Sequence, residues 1–181
     1  MTLELLRLDA PAFKAAIPDL GMILADAVAG GASVGFLLPF SPDDAAAWWR
    51  SLEHDVARGT VLVIVARLDG RVVGTAQLRL AQLPNASHRA EIAKVLVHRS
   101  ARRQGIGSAL MNEIERIAMA EGRTLLVLDT IAESEAEPLY VKLGWTRAAE
   151  IPRYAGMPNG ELRPTVIFYR DLEHKGSRSG R

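Results

Sequence analysis

A chain of 181 residues is long enough for one domain with a full hydrophobic core, and 49% apolar against 24% charged residues is the balance of an ordinary soluble globular protein. A net charge of +1 supplies no overall field toward nucleic acid or a membrane surface, so neither partner is expected and any anion site has to be local. The absence of cysteine excludes disulfides, thiolate metal sites and a cysteine nucleophile.

The opening "MTLELLRLDAPAF" lacks the basic and apolar regions of a signal peptide, which makes the cytoplasm the expected location. "LELLRLDA" reads as a first strand. Residues 10–28 carry apolar groups at helical spacing, with Pro18 expected to break them into two pieces. "GGASVGF", residues 30–36, reads as a flexible turn. "SPDDAAAWWRSLEHDVARG" reads as one helix, with Ser41 as N-cap, Pro42 at the first helical position and Gly59 at its close. "TVLVIVARLDGRVVGTAQLRLAQ" is a hairpin around Asp69-Gly70, and "HRAEIAKVLVH" is another strand.

Arg103 to Glu121 reads as an amphipathic helix with Ile106, Leu110, Ile114 and Ile117 on one stripe. "TLLVLDT" is almost wholly apolar, as expected of a strand buried on both faces. Ser134 is placed to cap a short helix running to Leu143 and ending at Gly144. "WTRAAEI" and "PTVIFYRDL" are the final strands, with "PRYAGMPNGELR" between them as a loop. The tail 174–181 reads as disordered, leaving a domain over residues 1–173. This order predicts an α/β sandwich with a mixed, mainly antiparallel sheet flanked by helices, rather than strict βαβ alternation.

The chemistry concentrates in "RRQGIGSALM", residues 102–111, where a strand gives way to a helix. A P-loop needs a lysine directly after its last glycine, and none is there. A dinucleotide fingerprint needs Gly or Ala where Leu110 stands, and a strand that opens the fold. The run Arg102-Arg103-Gln104-Gly105-Ile106-Gly107 fits a third pattern, Arg/Gln-x-x-Gly-x-Gly/Ala. Gly105 and Gly107 let an anion approach the backbone, converging N–H groups and the helix dipole hold it, and Arg102 and Arg103 add charge. Such a site suits a pyrophosphate. The alternative is a tight strand-to-helix turn with solvated arginines.

With this motif and this order of elements the chain resembles the GNAT superfamily of N-acetyltransferases over residues 2–170. "GGASVGF", "RAEIAKVLV", "SARRQGIGSALM", "LLVLDT" and "PNGELRPTVIFY" resemble in particular the tabtoxin-resistance acetyltransferase subgroup. The resemblance implies acetyl-CoA as co-substrate. Its pyrophosphate would lie on the backbone of Arg102, Arg103, Gln104, Gly105, Ile106, Gly107 and Ser108. Its pantetheine arm would lie like an extra strand beside Val95, Leu96 and Val97, in a gap where that strand splays from "LLVLDT". Glu91 and Asp129 are then candidates to take the acceptor's proton, and Tyr140 to protonate the departing thiolate. The competing readings are a strand-edge carboxylate paired with Arg89 or Lys94, a capping or turn aspartate, and a core tyrosine. Many relatives carry asparagine where Asp129-Thr130 stands, so Asp129 belongs as readily to the acceptor side.

Four scattered histidines have no ligand spacing, so no metal is expected. Trp48 and Trp49 read as helix packing rather than a substrate platform, and Arg99 as a solvated residue, with help to the cofactor's phosphates as its alternative. The implied activity is acetyl transfer to a small amine, an amino-acid-like toxin or antibiotic, directly within a ternary complex. A protein N-terminus and a non-catalytic acyl-CoA-binding module are the alternatives. A homodimer is left open.

Overall fold

The computed structural model describes residues 2–173; the expected tail, His174 included, lies outside them. Among the described residues seven strands and five α-helices follow in the order β1 (Leu3–Leu8), α1 (Ala10–Ala29), α2 (Pro42–Arg50), α3 (Glu53–Ala57), β2 (Val61–Leu68), β3 (Arg71–Leu80), β4 (Arg89–Val97), α4 (Ile106–Ala120), β5 (Leu125–Ile131), α5 (Glu137–Lys142), β6 (Thr146–Gly156) and β7 (Leu162–Asp171). The sheet order is β1-β2-β3-β4-β5-β7-β6. Every neighbouring pair is antiparallel except β4–β5, so the expected mixed sheet is present. No helix among the described residues is long and apolar enough to cross a membrane.

Two cores lie on opposite faces of the sheet. On one face Ile106, Leu110, Ile114 and Ile117 of α4 pack against Ile64, Leu78, Ile92, Leu126 and Phe168. Gly74 makes this seating close, because a Cβ there would stand 3.0 Å from the Leu96 carbonyl oxygen and 3.3 Å from Ile106. On the other face α1 and α2 cover Val61, Val63, Val65 and Leu96.

Several local expectations are corrected. Pro18 does not divide α1, which runs unbroken from Ala10 to Ala29. Pro18 and Lys14, whose carbonyl loses its partner, are both exposed, so water reaches that carbonyl. The buried stripe of Phe13, Ile17, Leu20 and Leu24 continues past the proline and holds the helix on the core. The helix expected over 41–59 is two, divided at Ser51-Leu52, where the Ser51 hydroxyl donates to the Trp48 carbonyl. Ser134 does not cap α5 with its side chain; its hydroxyl lies 3.1 Å from that of Thr130.

"PRYAGMPNGELR" is mostly strand: β6 continues to Gly156 and β7 starts at Leu162. As the edge strand, β6 tolerates Pro152, and a register irregularity with Arg153 at φ +56° accommodates it. β5 is buried on one face only. Leu126 and Leu128 are enclosed, while Val127 is half-buried and Asp129 exposed, because the opposite face opens onto a cleft.

Candidate active site

Two irregularities of β4 create the site. Its parallel pairing with β5 covers only Arg89–Leu125, Ala90–Leu126 and Glu91–Val127, after which the strands part. On its other side, pairing with β3 slips between Ala93 and Leu96, so β4 carries an extra residue there. Lys94 occupies that bulge at φ +50°. Val95, Leu96 and Val97 therefore follow a bulge and border a gap, as expected, with their β5 side free of ladder bonds.

At the end of the gap the chain turns into α4. Arg103 (φ +61°) and Gly105 (φ +78°) make the turn in left-handed conformations. No side chain caps α4, whereas Asp9 and Ser41 cap α1 and α2. The first intrahelical bond is donated by the Ala109 amide to the Gly105 carbonyl, leaving the preceding N–H groups as donors without helical partners. Arg102, Arg103, Gln104 and Gly105 are exposed, Gly107 and Ser108 half-buried and Ile106 buried. Arg102 crosses the mouth of the gap, donating to the Val97 carbonyl at 3.3 Å and standing 3.8 Å from Glu135. Gly107 brings α4 against α5, since a Cβ there would meet Leu139 at 3.3 Å.

Tyr140 enters from the α5 side. Its ring packs on Trp145 and Phe168, so the core reading is correct for the ring. No described residue bonds the hydroxyl. Burial, and then the charge of Asp129, push the phenol up to about 12. Burial, and then the charge of Arg79, lower the Lys94 amine to about 8, and the charges of Asp129 and Glu91 pull the other way. Glu91 pairs across the sheet with Arg79 of β3 and likewise acts on Lys94. Glu91 makes no ion pair with Arg89 or Lys94, and Asp129 caps no helix. A cleft of about 340 Å³ lies beside Glu91, lined by Arg79, Arg89, Val127 and neighbouring backbone. A second depression of about 430 Å³ lies along α5 between Glu133 and Lys142 and holds none of these groups.

Two segments distant in the chain meet beside Lys94, where a Cβ on Gly35 would stand 3.8 Å from the Lys94 Nζ. The Ser33 hydroxyl donates to the Gly156 carbonyl at 2.8 Å, and the Leu38 amide to the Pro158 carbonyl at 2.8 Å. The turn expected over 30–36 is thus pinned to the β6–β7 hairpin. Phe36 stacks on Phe40 and meets Trp48 edge-on, and Lys94 Nζ stands 4.9 Å from the Trp48 ring and 5.6 Å from Phe36. Of the two tryptophans, only Trp49 is purely structural: it is wholly buried and donates to the Leu20 carbonyl at 3.0 Å. Arg99 is not simply solvated, because it bonds Asp26 of α1 at 2.8 Å. Sequence reasoning passed over Lys94, Arg79 and Gln77. The available signal was the polar alternation Thr75, Gln77, Arg79 in an otherwise apolar strand.

The profile of the Acetyltransferase (GNAT) family matches residues 28–145. Among solved structures, an N-acetyltransferase from Staphylococcus aureus Mu50 is 22% identical with a TM-score of 0.78, covering 95% of this chain and 99% of its own. YncA of Salmonella typhimurium, solved with its cofactor acetyl-CoA, is 19% identical with a TM-score of 0.77 over the whole of both chains. A ribosomal-protein-alanine N-acetyltransferase from Brucella melitensis is 23% identical with a TM-score of 0.75, covering 92% of this chain and 99% of its own. The splayed parallel pair, the uncapped glycine turn and the matched profile carry one conclusion: the chain belongs to the GNAT family of acetyltransferases.

Proposed function

We propose that the protein is an acetyl-CoA-dependent N-acetyltransferase that modifies a small, amino-acid-like amine, a toxin or antibiotic among the candidates, by direct transfer in a ternary complex. The observation that carries the small acceptor is the pinning of residues 33–38 onto Gly156 and Pro158. We place this latched pair of segments on the acceptor side, where a folded-over wall suits a small molecule better than a protein N-terminus, which needs an open groove. The tabtoxin-resistance subgroup is the relationship this reading favours.

The donor side fits acetyl-CoA. The free amides at the start of α4 and the arginines before it suit a pyrophosphate, and the unpaired side of Val95–Val97 suits an extended arm. Bound acetyl-CoA supplies an acetyl group activated as a thioester. Glu91 and Asp129 hold the acceptor's ammonium and take its proton, so that the amine nitrogen can bond the acetyl carbon as the carbon–sulfur bond breaks. Tyr140 donates its hydroxyl proton to the departing sulfur. With no cysteine in the chain, no thioester forms on the enzyme.

A thiol-release screen with acetyl-CoA against amino acids, polyamines, β-lactam-type toxins and short peptides tests the reading. Release with peptides alone would favour the protein-terminus alternative. Binding of acetyl-CoA without release for any amine would favour the non-catalytic one.

Gly105→Val and Gly107→Val should each weaken acetyl-CoA binding at least tenfold, about 1.4 kcal/mol, by calorimetry on folded variants. The causes differ. A β-branched residue is strained at the φ of +78° found at Gly105, although its Cβ would meet nothing within 4 Å, whereas at Gly107 the Cβ meets Leu139 beside the donor amides. Unchanged affinity would leave the glycines serving only the turn.

Glu91→Gln and Asp129→Asn should lower acetyl transfer and leave acetyl-CoA affinity nearly intact. Full activity of both variants across pH 6–9 would remove both carboxylates as bases.

A further inference from the structure

Lys94 plays no part in the chemistry above, yet its surroundings call for a ligand. Its half-buried ammonium carries three donors. Among the described residues no oxygen accepts from it and no carboxylate lies within ion-pair distance; it is held by the faces of Trp48 and Phe36. Gln77 lies next to it, opposite Ala93 across the β3–β4 ladder. Gln77 is fully buried, its Oε1 accepts from Arg79 Nε at 3.4 Å, and its Nε2 has no partner. Buried donors without acceptors are rare, because each costs the hydration it has lost. These donors share the sheet face of Glu91 and Asp129, and no two of the four charged groups Arg79, Glu91, Lys94 and Asp129 form an ion pair.

We propose that Lys94, with Gln77 and Arg79 behind it, is the anion-recognition end of the acceptor site, so that the acceptor is a small zwitterion whose amine is accompanied by a carboxylate or comparable oxyanion. The inference rests on the acetyl-transfer reading of this cleft and adds the class of acceptor. A zwitterion gives each end of the cleft its counter-charge and adds no net charge. A polyamine would set a second cation against Lys94. A neutral amide or a plain amine would leave the donors unpaired, which selects against it. The rings of Phe36 and Trp48 fix the ammonium in place.

The test compares L-amino acids with their C-terminal amides and decarboxylated amines by thiol release from acetyl-CoA, with spermidine and short peptides alongside. The wild-type protein should use its best amino acid at least tenfold better in kcat/KM than the matching amide, since a site built for a polar group discriminates against the analogue lacking it. Lys94→Met should bring that ratio to within about threefold of one, mainly through the acceptor KM, and Lys94→Arg should retain part of it. Calorimetric acetyl-CoA affinity establishes that each variant is folded. A purely structural Lys94 would lower both activities together and leave the ratio unchanged, which overturns the proposal. Release with neutral amines, spermidine or peptides in preference to amino acids also overturns it while leaving acetyl transfer intact. No release with any amine removes the acetyl-transfer reading itself and this inference with it.

Discussion

Replacing Tyr140 with phenylalanine is expected to lower kcat about 100-fold while the KM for acetyl-CoA moves less than about threefold. The ring keeps its contacts with Trp145 and Phe168, so the variant folds, and only the unbonded hydroxyl is lost. Positioned proton transfer is worth about 10²–10⁴-fold, and two facts place the effect at the low end. A thiolate is a fairly good leaving group. Burial and Asp129 push the phenol up to about 12, which keeps the donor protonated through the working range and also makes it a weaker acid than free tyrosine. A kcat within threefold of wild type would make Tyr140 a core residue only, with the thiolate taking its proton from water.

The largest stability effect is expected at Glu115, where alanine should cost about 3–5 kcal/mol in urea denaturation. Glu115 is 4% exposed in the middle of α4. It accepts from Trp145 Nε1 at 3.1 Å and meets Arg170 Nε of β7 at 3.2 Å, and Arg170 also donates to the Leu143 carbonyl. The carboxylate thus ties the helix behind the glycine turn to the end of α5 and the far half of the sheet. Its removal leaves the indole N–H without its acceptor and the largely buried Arg170 guanidinium without its counter-charge. Glu115→Gln keeps an acceptor for Trp145 and should cost less than half as much. A loss under about 1 kcal/mol for Glu115→Ala would mean that water or a shifted Arg170 replaces the contact.

Legibility in the sequence followed the range of the forces involved. The Asp69-Gly70 hairpin was readable because both residues must take positive φ, at 48° and 82°, and the residue types say so. The turn into α4 is readable only in part: Gly105 signals its φ of +78°, whereas Arg103, expected at the start of the helix, stands outside it at φ +61°. Pro18 misled because a local propensity of about 3 kcal/mol is outweighed by a buried stripe whose partner lies elsewhere in the chain. β6 ran past Pro152 because edge position is a property of the sheet order, which the strand's own residues do not state. Glu91, Asp129 and Tyr140 are reached through family likeness, and in the structure the charge of Asp129 acts on both Tyr140 and Lys94 while Glu91 acts on Lys94. The significance of Lys94 depends on a one-residue slip of register against β3, and "EIAKVLV" does not show where the slip falls.

The bonds from Ser33 to Gly156 and from Leu38 to Pro158 set how selectivity can evolve in such a protein. The proposed donor half is written in one contiguous stretch, from the splay after Glu91 to the body of α4. The wall facing it is written twice, at sites more than a hundred residues apart that meet only in the folded state. On the proposed small-acceptor reading, a lineage would exchange one acceptor for another by editing those two surface segments. Because they are latched together, a change of length in one demands an answering change in the other, and acceptor preference should shift in paired steps.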